Sequence, residues 1–163
     1  MPLSKIDSDS LNSGVPTRAQ LPAGTVLQVV NSTYSTQVSN TTNTYADTGL
    51  TASITPSSTN SKILAIMTIA GVRKVTNNTF GEFIFVRGAT SLFNMESSAG
   101  RNDSTTSNAI GSVSASYLDS PATISATTYK VQFRSSNNND GIIVQVAGNL
   151  SSTSTLTLME IAA

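Results

Sequence analysis

The chain has 163 residues, with nine Lys and Arg against nine Asp and Glu, and it contains no His, Cys or Trp. This composition excludes disulfides, thiolate or histidine metal sites, and catalytic pairs that use histidine as the base. A formal net charge of zero also removes the basic surface on which nucleic-acid binding depends. The sequence therefore predicts no cofactor, no metal and no nucleic-acid partner.

The polar composition indicates one all-β domain. Ser, Thr and Asn account for 63 of the 163 residues. Thr, Val and Ile fit a pleated surface, whereas Ser, Asn and Gly favour turns, so the mixture is typical of many short strands. No apolar run reaches the roughly 18 residues of a membrane-spanning helix, and the opening MPLSKIDSDS lacks an apolar signal region. We therefore expect no membrane insertion and no conventional secretion.

The first residues predict an extended arm. Three of the five prolines lie within residues 1–22. We interpret 1–22 as an N-terminal docking arm and 23–163 as the folded domain. The arm packs either on its own domain or on a neighbouring subunit or larger assembly. Its candidate docking residues are the isolated apolar side chains Leu3, Ile6, Leu11 and Val15.

From Gly24 onward, strand-like runs alternate with turn clusters, a pattern typical of a sandwich or barrel. Nine strands fit a jelly-roll β-sandwich. They are predicted at residues 25–30, 50–54, 62–72, 80–87, 109–118, 122–125, 128–134, 142–147 and 155–161.

The segment YKVQFR (129–134) has the clearest alternation of apolar and polar residues. Tyr129, Val131 and Phe133 fall on one face and predict a strand with one buried side. The following SSNNNDG, ending in Asp140-Gly141, and the apolar run IIVQVAG predict a hairpin with a loop longer than two residues. The amides of 137–141 also offer oxygen ligands, but a turn explains them more simply than a metal does.

The segment SKILAIMTIAGV (61–72) is apolar on both faces of a strand. An antiparallel sandwich leaves one face of each sheet in water, so such a strand needs a second cover. Either this is a central strand under a long loop, or another copy of the chain covers it. We favour an oligomer interface, with the candidate residues Ile63, Leu64, Ile66, Met67 and Ile69.

No catalytic motif is present. There is no nucleophile elbow, phosphate loop or dinucleotide fingerprint, and the acidic residues beyond Asp7 and Asp9 are scattered singly. The Asp7-Ser8-Asp9-Ser10 run lacks the glycine and distal glutamate of a calcium loop. We therefore predict a protein that is not an enzyme.

Sugar binding requires exposed aromatic rings, and four aromatic residues lie at predicted strand ends or in loops. They are either glycan contacts or half-buried loop anchors. These candidates are Tyr34, Tyr45, Phe93 and Tyr117.

Four segments together resemble virion proteins of tailed bacteriophages, and those of cyanophages look closest. They are residues 4–30, ADTGLTASITPSSTNSKILAIMTIAG (46–71), YLDSPATISATTYKVQFRSS (117–136) and STLTLMEIAA (154–163). The resemblance implies a jelly roll like those of the C1q and tumour-necrosis-factor trimers. It also implies a virion location after synthesis in the host cytoplasm. A host-recognition tail fibre has a long shaft, for which the roughly 22 residues before the first strand leave no room.

Two functional hypotheses follow from these observations. The first is a non-enzymatic, homotrimeric virion structural protein, a fibre, knob or capsid-decoration subunit whose arm binds another virion protein. The second is a carbohydrate-binding adhesin or lectin-like module for host attachment. An enzyme acting on polysaccharide would need paired carboxylates, which the sequence does not show.

Overall fold

The computed structural model describes residues 21–101, 108–146 and 152–163, which form an all-β sandwich. These parts of the chain contain ten strands. The strands are β1 (Val26–Tyr34), β2 (Val38–Asn40), β3 (Ala46–Ile54), β4 (Lys62–Lys74), β5 (Gly81–Arg87), β6 (Thr90–Ala99), β7 (Asn108–Asp119), β8 (Thr127–Ser135), β9 (Ile142–Val144) and β10 (Ser154–Ile161).

The strand order is that of a jelly roll. In one sheet the spatial order of neighbouring strands is β1-β10-β4-β7. The C-terminal end of β4 also pairs with β9, which pairs with β2. The second sheet has the order β3-β8-β5-β6. The first and last strands pair with each other, and the chain crosses repeatedly between the sheets, as expected for two interlocked Greek keys. The predicted jelly-roll sandwich is therefore confirmed.

The core lies between the inner faces of the two sheets. The alternation predicted for β8 is confirmed, because Tyr129, Val131 and Phe133 are all fully buried. The rings of Phe83 and Phe133 stack with centroids 6.0 Å apart, and those of Phe85 and Tyr129 stack at 5.6 Å. Such aromatic pairs stabilise a core beyond the area that they bury.

The predicted hairpin after YKVQFR is wrong. β8 pairs with β3 and β5 in the second sheet, whereas β9 pairs with β2 and β4 in the first sheet. The intervening loop therefore crosses between the sheets. It is anchored to the loop after β2, where the Asn139 backbone N–H donates to the Thr41 carbonyl at 2.8 Å. Asn139 has a φ of 68°, which suits its amide side chain and agrees with a turn at this position.

Three other strand assignments from the sequence differ from the structure. Residues 122–125 form no strand, and they lie in the loop between β7 and β8. β2 and β6 were not predicted, because β2 has only three residues and β6 is an edge strand with mostly polar side chains. Edge strands bury little surface, so their sequences carry a weaker apolar alternation.

A buried polar cluster joins the two sheets at one end of the sandwich. The Arg87 guanidinium donates to both carboxylate oxygens of Asp119, at 2.9 and 2.7 Å. The Tyr129 hydroxyl donates to the same carboxylate at 2.6 Å. Burial raises the pKa of Tyr129, and the neighbouring Asp119 charge raises it further. The cluster neutralises a carboxylate that is only 4% exposed, as a buried charge requires.

Candidate self-assembly surface

Strand β4 directs its apolar side chains to two different environments. Ile63, Met67 and Ile69 are at most 1% exposed and lie in the core between the sheets of one chain. Their assignment as oligomer-interface residues is therefore corrected, because the opposite sheet of the same domain already covers them. Leu64 and Ile66 point to the outer face, where Ile66 is 44% exposed. The candidate interface on β4 is reduced to these two residues.

The strand register places Leu64 in an apolar row that crosses four strands. Val29 pairs with Met159, Met159 pairs with Leu64, and Leu64 pairs with Leu118. The two ends of the row are the most exposed, with Val29 at 56% and Leu118 at 50%. Sequence reasoning missed this row because its members are far apart in the chain and only the pairing register brings them together.

Apolar side chains on both sides of this row extend it into a continuous surface. Ile66 lies one row away on one side, and the paired residues Val26 and Ile161 lie on the other. We call the whole set the apolar patch. The apolar patch consists of Val26, Val29, Leu64, Ile66, Leu118, Met159 and Ile161.

The remaining outward positions next to the apolar patch are neutral, with the exception of Lys62. Its neighbours along the strands are amide and hydroxyl side chains, such as Asn31, whose amide donates to the Thr157 hydroxyl at 2.9 Å. Among the described outward residues in the same rows of cross-strand pairs as the apolar patch, Lys62 is the one charged residue. An exposed, contiguous apolar surface with a polar border is typical of a protein–protein interface.

The apolar patch ends at the edge strand β7. Within the described ranges, β7 pairs with β4 on one side and has no strand on its other side. Its residues 109–118 include no charge and no proline. A cleft of about 380 Å³ lies between β7 and β6, the edge strand of the other sheet. Met95, Ala99, Ile110 and Val113 supply the apolar part of its lining. Natural edge strands are normally protected by lysine, proline or bulges. β7 has a register irregularity at Gly111 but pairs regularly with β4 from Ser112 to Leu118, so this part of the edge has the character of an interaction site.

The four candidate glycan-binding aromatics all have partners within the domain. Each of them is half-buried. Phe93 and Tyr117 stack on each other with centroids 4.9 Å apart. The Arg134 guanidinium lies 4.8 Å from the centre of the Tyr45 ring. The Tyr34 ring packs so closely on Gly49 that a Cβ there would lie 2.3 Å from it. The structure thus gives these rings packing roles.

A buried carboxylate near the C-terminus was missed by sequence reasoning. Glu160 is fully buried and accepts hydrogen bonds from the Ser57 N–H at 2.7 Å, the Ser61 hydroxyl at 2.7 Å and the Gln28 amide at 2.5 Å. Burial alone would raise its pKa, but these donors and the Ser57 hydroxyl outweigh burial and lower the pKa to about 2. The donors come from β1 and from the β3–β4 connection, so the contacts hold the last strand to both.

The described residues contain neither a group of metal-binding side chains nor a membrane-spanning helix. No group of three or more acidic, His or Cys side chains there could hold a metal ion. No helix in those ranges is long and apolar enough to cross a membrane.

The candidate docking residues Leu3, Ile6, Leu11 and Val15 lie outside the described residues. The described chain begins at Leu21 and reaches β1 through a turn. There the Gly24 N–H donates to the Ala162 carbonyl at 2.8 Å. The described chain therefore enters the domain beside Val26, at one end of the apolar patch.

Comparison with protein-family models and with curated proteins finds no match. Among solved structures, the chain is similar to the VP2 subviral particle of infectious bursal disease virus, with a TM-score of 0.44 and 9% sequence identity. The match covers 84% of this chain and 40% of that chain. The chain thus spans less than half the length of that protein. The jelly-roll fold is assigned from the strand order and not from this similarity.

Proposed function

We propose that the chain is a non-enzymatic structural subunit of a bacteriophage particle, a knob or decoration protein that assembles as a homotrimer. The observation that carries this proposal is the apolar patch, because a particle subunit needs a surface for its own copies. The jelly roll adds support, since capsid proteins are among the proteins that use this architecture. The sequence resemblance to tailed-phage virion proteins points to the same class.

The free energy available from the apolar patch agrees with a role in assembly. Fully burying an aliphatic side chain contributes about 1.5–3 kcal/mol. The seven patch side chains are about half covered already, so burying the remainder contributes roughly 1 kcal/mol each, about 7 kcal/mol in total. Association costs about 4–15 kcal/mol in lost translational and rotational freedom. The apolar patch therefore offsets the lower end of this cost.

In this proposal the N-terminal arm attaches the trimer to another virion protein. The arm joins the domain just before the first residue of β1. It therefore leaves each subunit from the edge of the surface that we assign to self-association. Deleting residues 1–22 is expected to leave a trimer that no longer joins the particle. Normal incorporation of the truncated protein would contradict the docking role.

Light scattering coupled to size exclusion tests self-association directly. The full-length chain is expected near three times 16.9 kDa. Ile66→Asp places a carboxylate in the apolar patch at an exposed site, so this variant is expected to fold and to run as a monomer. Ser39→Asp adds the same charge to an exposed position of the same sheet, outside the patch, and is the matched control. An assembled Ile66→Asp variant would exclude the apolar patch as the interface.

A further inference from the structure

We propose that the copies associate head to tail: the β7 edge of one subunit, with its adjoining cleft, packs on the apolar patch of the next. This inference rests on the proposed self-association and specifies its geometry. The occupant of the apolar patch is thus a second copy of this chain, presenting a different surface from the one it covers. Such a heterologous contact closes into a ring when its rotation allows.

The areas of the two surfaces favour this arrangement over a face-to-face dimer. Four paired strands and four rows of outward residues make up the face around the apolar patch, an area of roughly 500 Å² at normal strand and residue spacings. Two such faces packed together bury about 1,000 Å², less than the roughly 1,200–2,000 Å² of a stable interface. A symmetric dimer would also leave the β7 edge uncovered.

A ring uses both surfaces of every subunit. The β7 edge is 12 residues long and has the thickness of two sheets, so it presents roughly 400 Å². One edge-on-face contact then buries at most about 800 Å², because the edge covers no more than roughly 400 Å² of the face. Each subunit in a closed ring uses both surfaces and buries about 800 Å² of its own area, against about 500 Å² in a face-to-face dimer. An interface of standard size buries about 800 Å² on each partner, so the ring reaches this amount per subunit and the face-to-face dimer does not.

The chemistry of the two surfaces also matches. Within the described ranges no strand pairs with the outer side of β7, so the edge offers its backbone groups. It also offers the hydroxyls of Ser112 and Ser114, which line the cleft. The face offers apolar side chains bordered by hydroxyls and amides that can pair with backbone groups. Leu118 lies on β7 and also ends the apolar row, so edge and face form one continuous surface. Glu96 is the one charged residue in the cleft lining, and Lys62 is the one in the described rows of the face. Neither surface therefore places a charged row against the other.

Mixing two blocked variants of the full-length chain separates this geometry from the alternatives. Val29→Asp blocks the face at β1, three strands away from β7. A double variant, Ser98→Lys with Ser112→Lys, blocks the edge with lysines on opposite walls of the cleft, where both serines are exposed. Val26→Asp, at a site that is 49% exposed, is the second face-blocking variant and replaces Val29→Asp if circular dichroism shows that the latter is unfolded.

The expected result is complementation. Each blocked variant alone sediments as a monomer, whereas their mixture forms a one-to-one heterodimer as concentration rises, because one intact face and one intact edge remain. Assembly of the edge-blocked variant alone would indicate face-to-face packing and overturn the proposal. So would assembly of the face-blocked variant alone, or a mixture that stays monomeric. A monomeric unmodified chain would instead remove the proposed self-association itself.

Discussion

Replacing Glu160 by Gln tests the buried carboxylate that holds the last strand. The pKa of this group is about 2 in the folded chain and 4.5 for an unperturbed glutamate. A difference of 2.5 pKa units corresponds to roughly 3 kcal/mol of folding stability at neutral pH. The neutral amide loses this contribution and also turns an N–H₂ group toward donors. Glu160→Gln is therefore expected to lower the free energy of unfolding by about 3 kcal/mol at pH 7.

The pH dependence of this loss has a defined sign. Because the folded-state pKa is lowered, the carboxylate stabilises the fold fully above the unfolded pKa and less as pH falls toward 2. The gap between the parent chain and Glu160→Gln should thus be about 2 kcal/mol smaller at pH 3 than at pH 7. Urea unfolding of the parent chain and of Glu160→Gln at both pH values measures this difference in unfolding free energy.

Glu96→Gln is the matched control for this experiment. Glu96 is exposed, and its carboxylate accepts local hydrogen bonds from the backbone N–H groups of Ser97 and Ser98. Its replacement is expected to change the unfolding free energy by about 0.5 kcal/mol or less. A Glu160→Gln variant that unfolds like the control at pH 7, or whose loss does not change with pH, would refute the reasoning.

Three further predictions concern folding and stability. Tyr129→Phe removes the hydroxyl that donates to the buried Asp119, so thermal unfolding should show a loss of about 1–3 kcal/mol; an unchanged midpoint would contradict the role of this bond. Gly49→Ala combines a φ of +86° with a Cβ only 2.3 Å from an aromatic ring, and should cost more stability than Gly24→Ala, where φ is also positive but no atom lies within 4 Å. Equal losses would show that the close approach does not matter. Met67→Asp should yield unfolded protein, unlike Ile66→Asp, because Met67 is in the core; soluble, folded Met67→Asp protein would contradict this.

The sequence was sufficient to predict the fold class, since alternation such as that of Tyr129, Val131 and Phe133 depends only on local spacing. It also showed that the strand at 61–72 has two apolar faces. Spacing with a period of two cannot tell which face meets the core, because both faces of this strand have the same character. Ile63 is buried and Leu64 is partly exposed because the second sheet of the domain packs on only one face of β4.

The parts that were not predictable depend on contacts between distant segments. The apolar row requires the register of four strands, and its members range from Val29 to Met159. The donors to Glu160 come from positions about 100 or more residues earlier in the chain. The hairpin prediction failed for the same reason, since adjacent strands joined by a turn-like loop can still belong to different sheets.

The mass of the full-length chain in solution tests the central claim most directly. Light scattering coupled to size exclusion, measured across a range of concentrations, is predicted to give a species near three times 16.9 kDa. A species of 16.9 kDa at every concentration would contradict self-association, and the exposed apolar patch would then need a different partner.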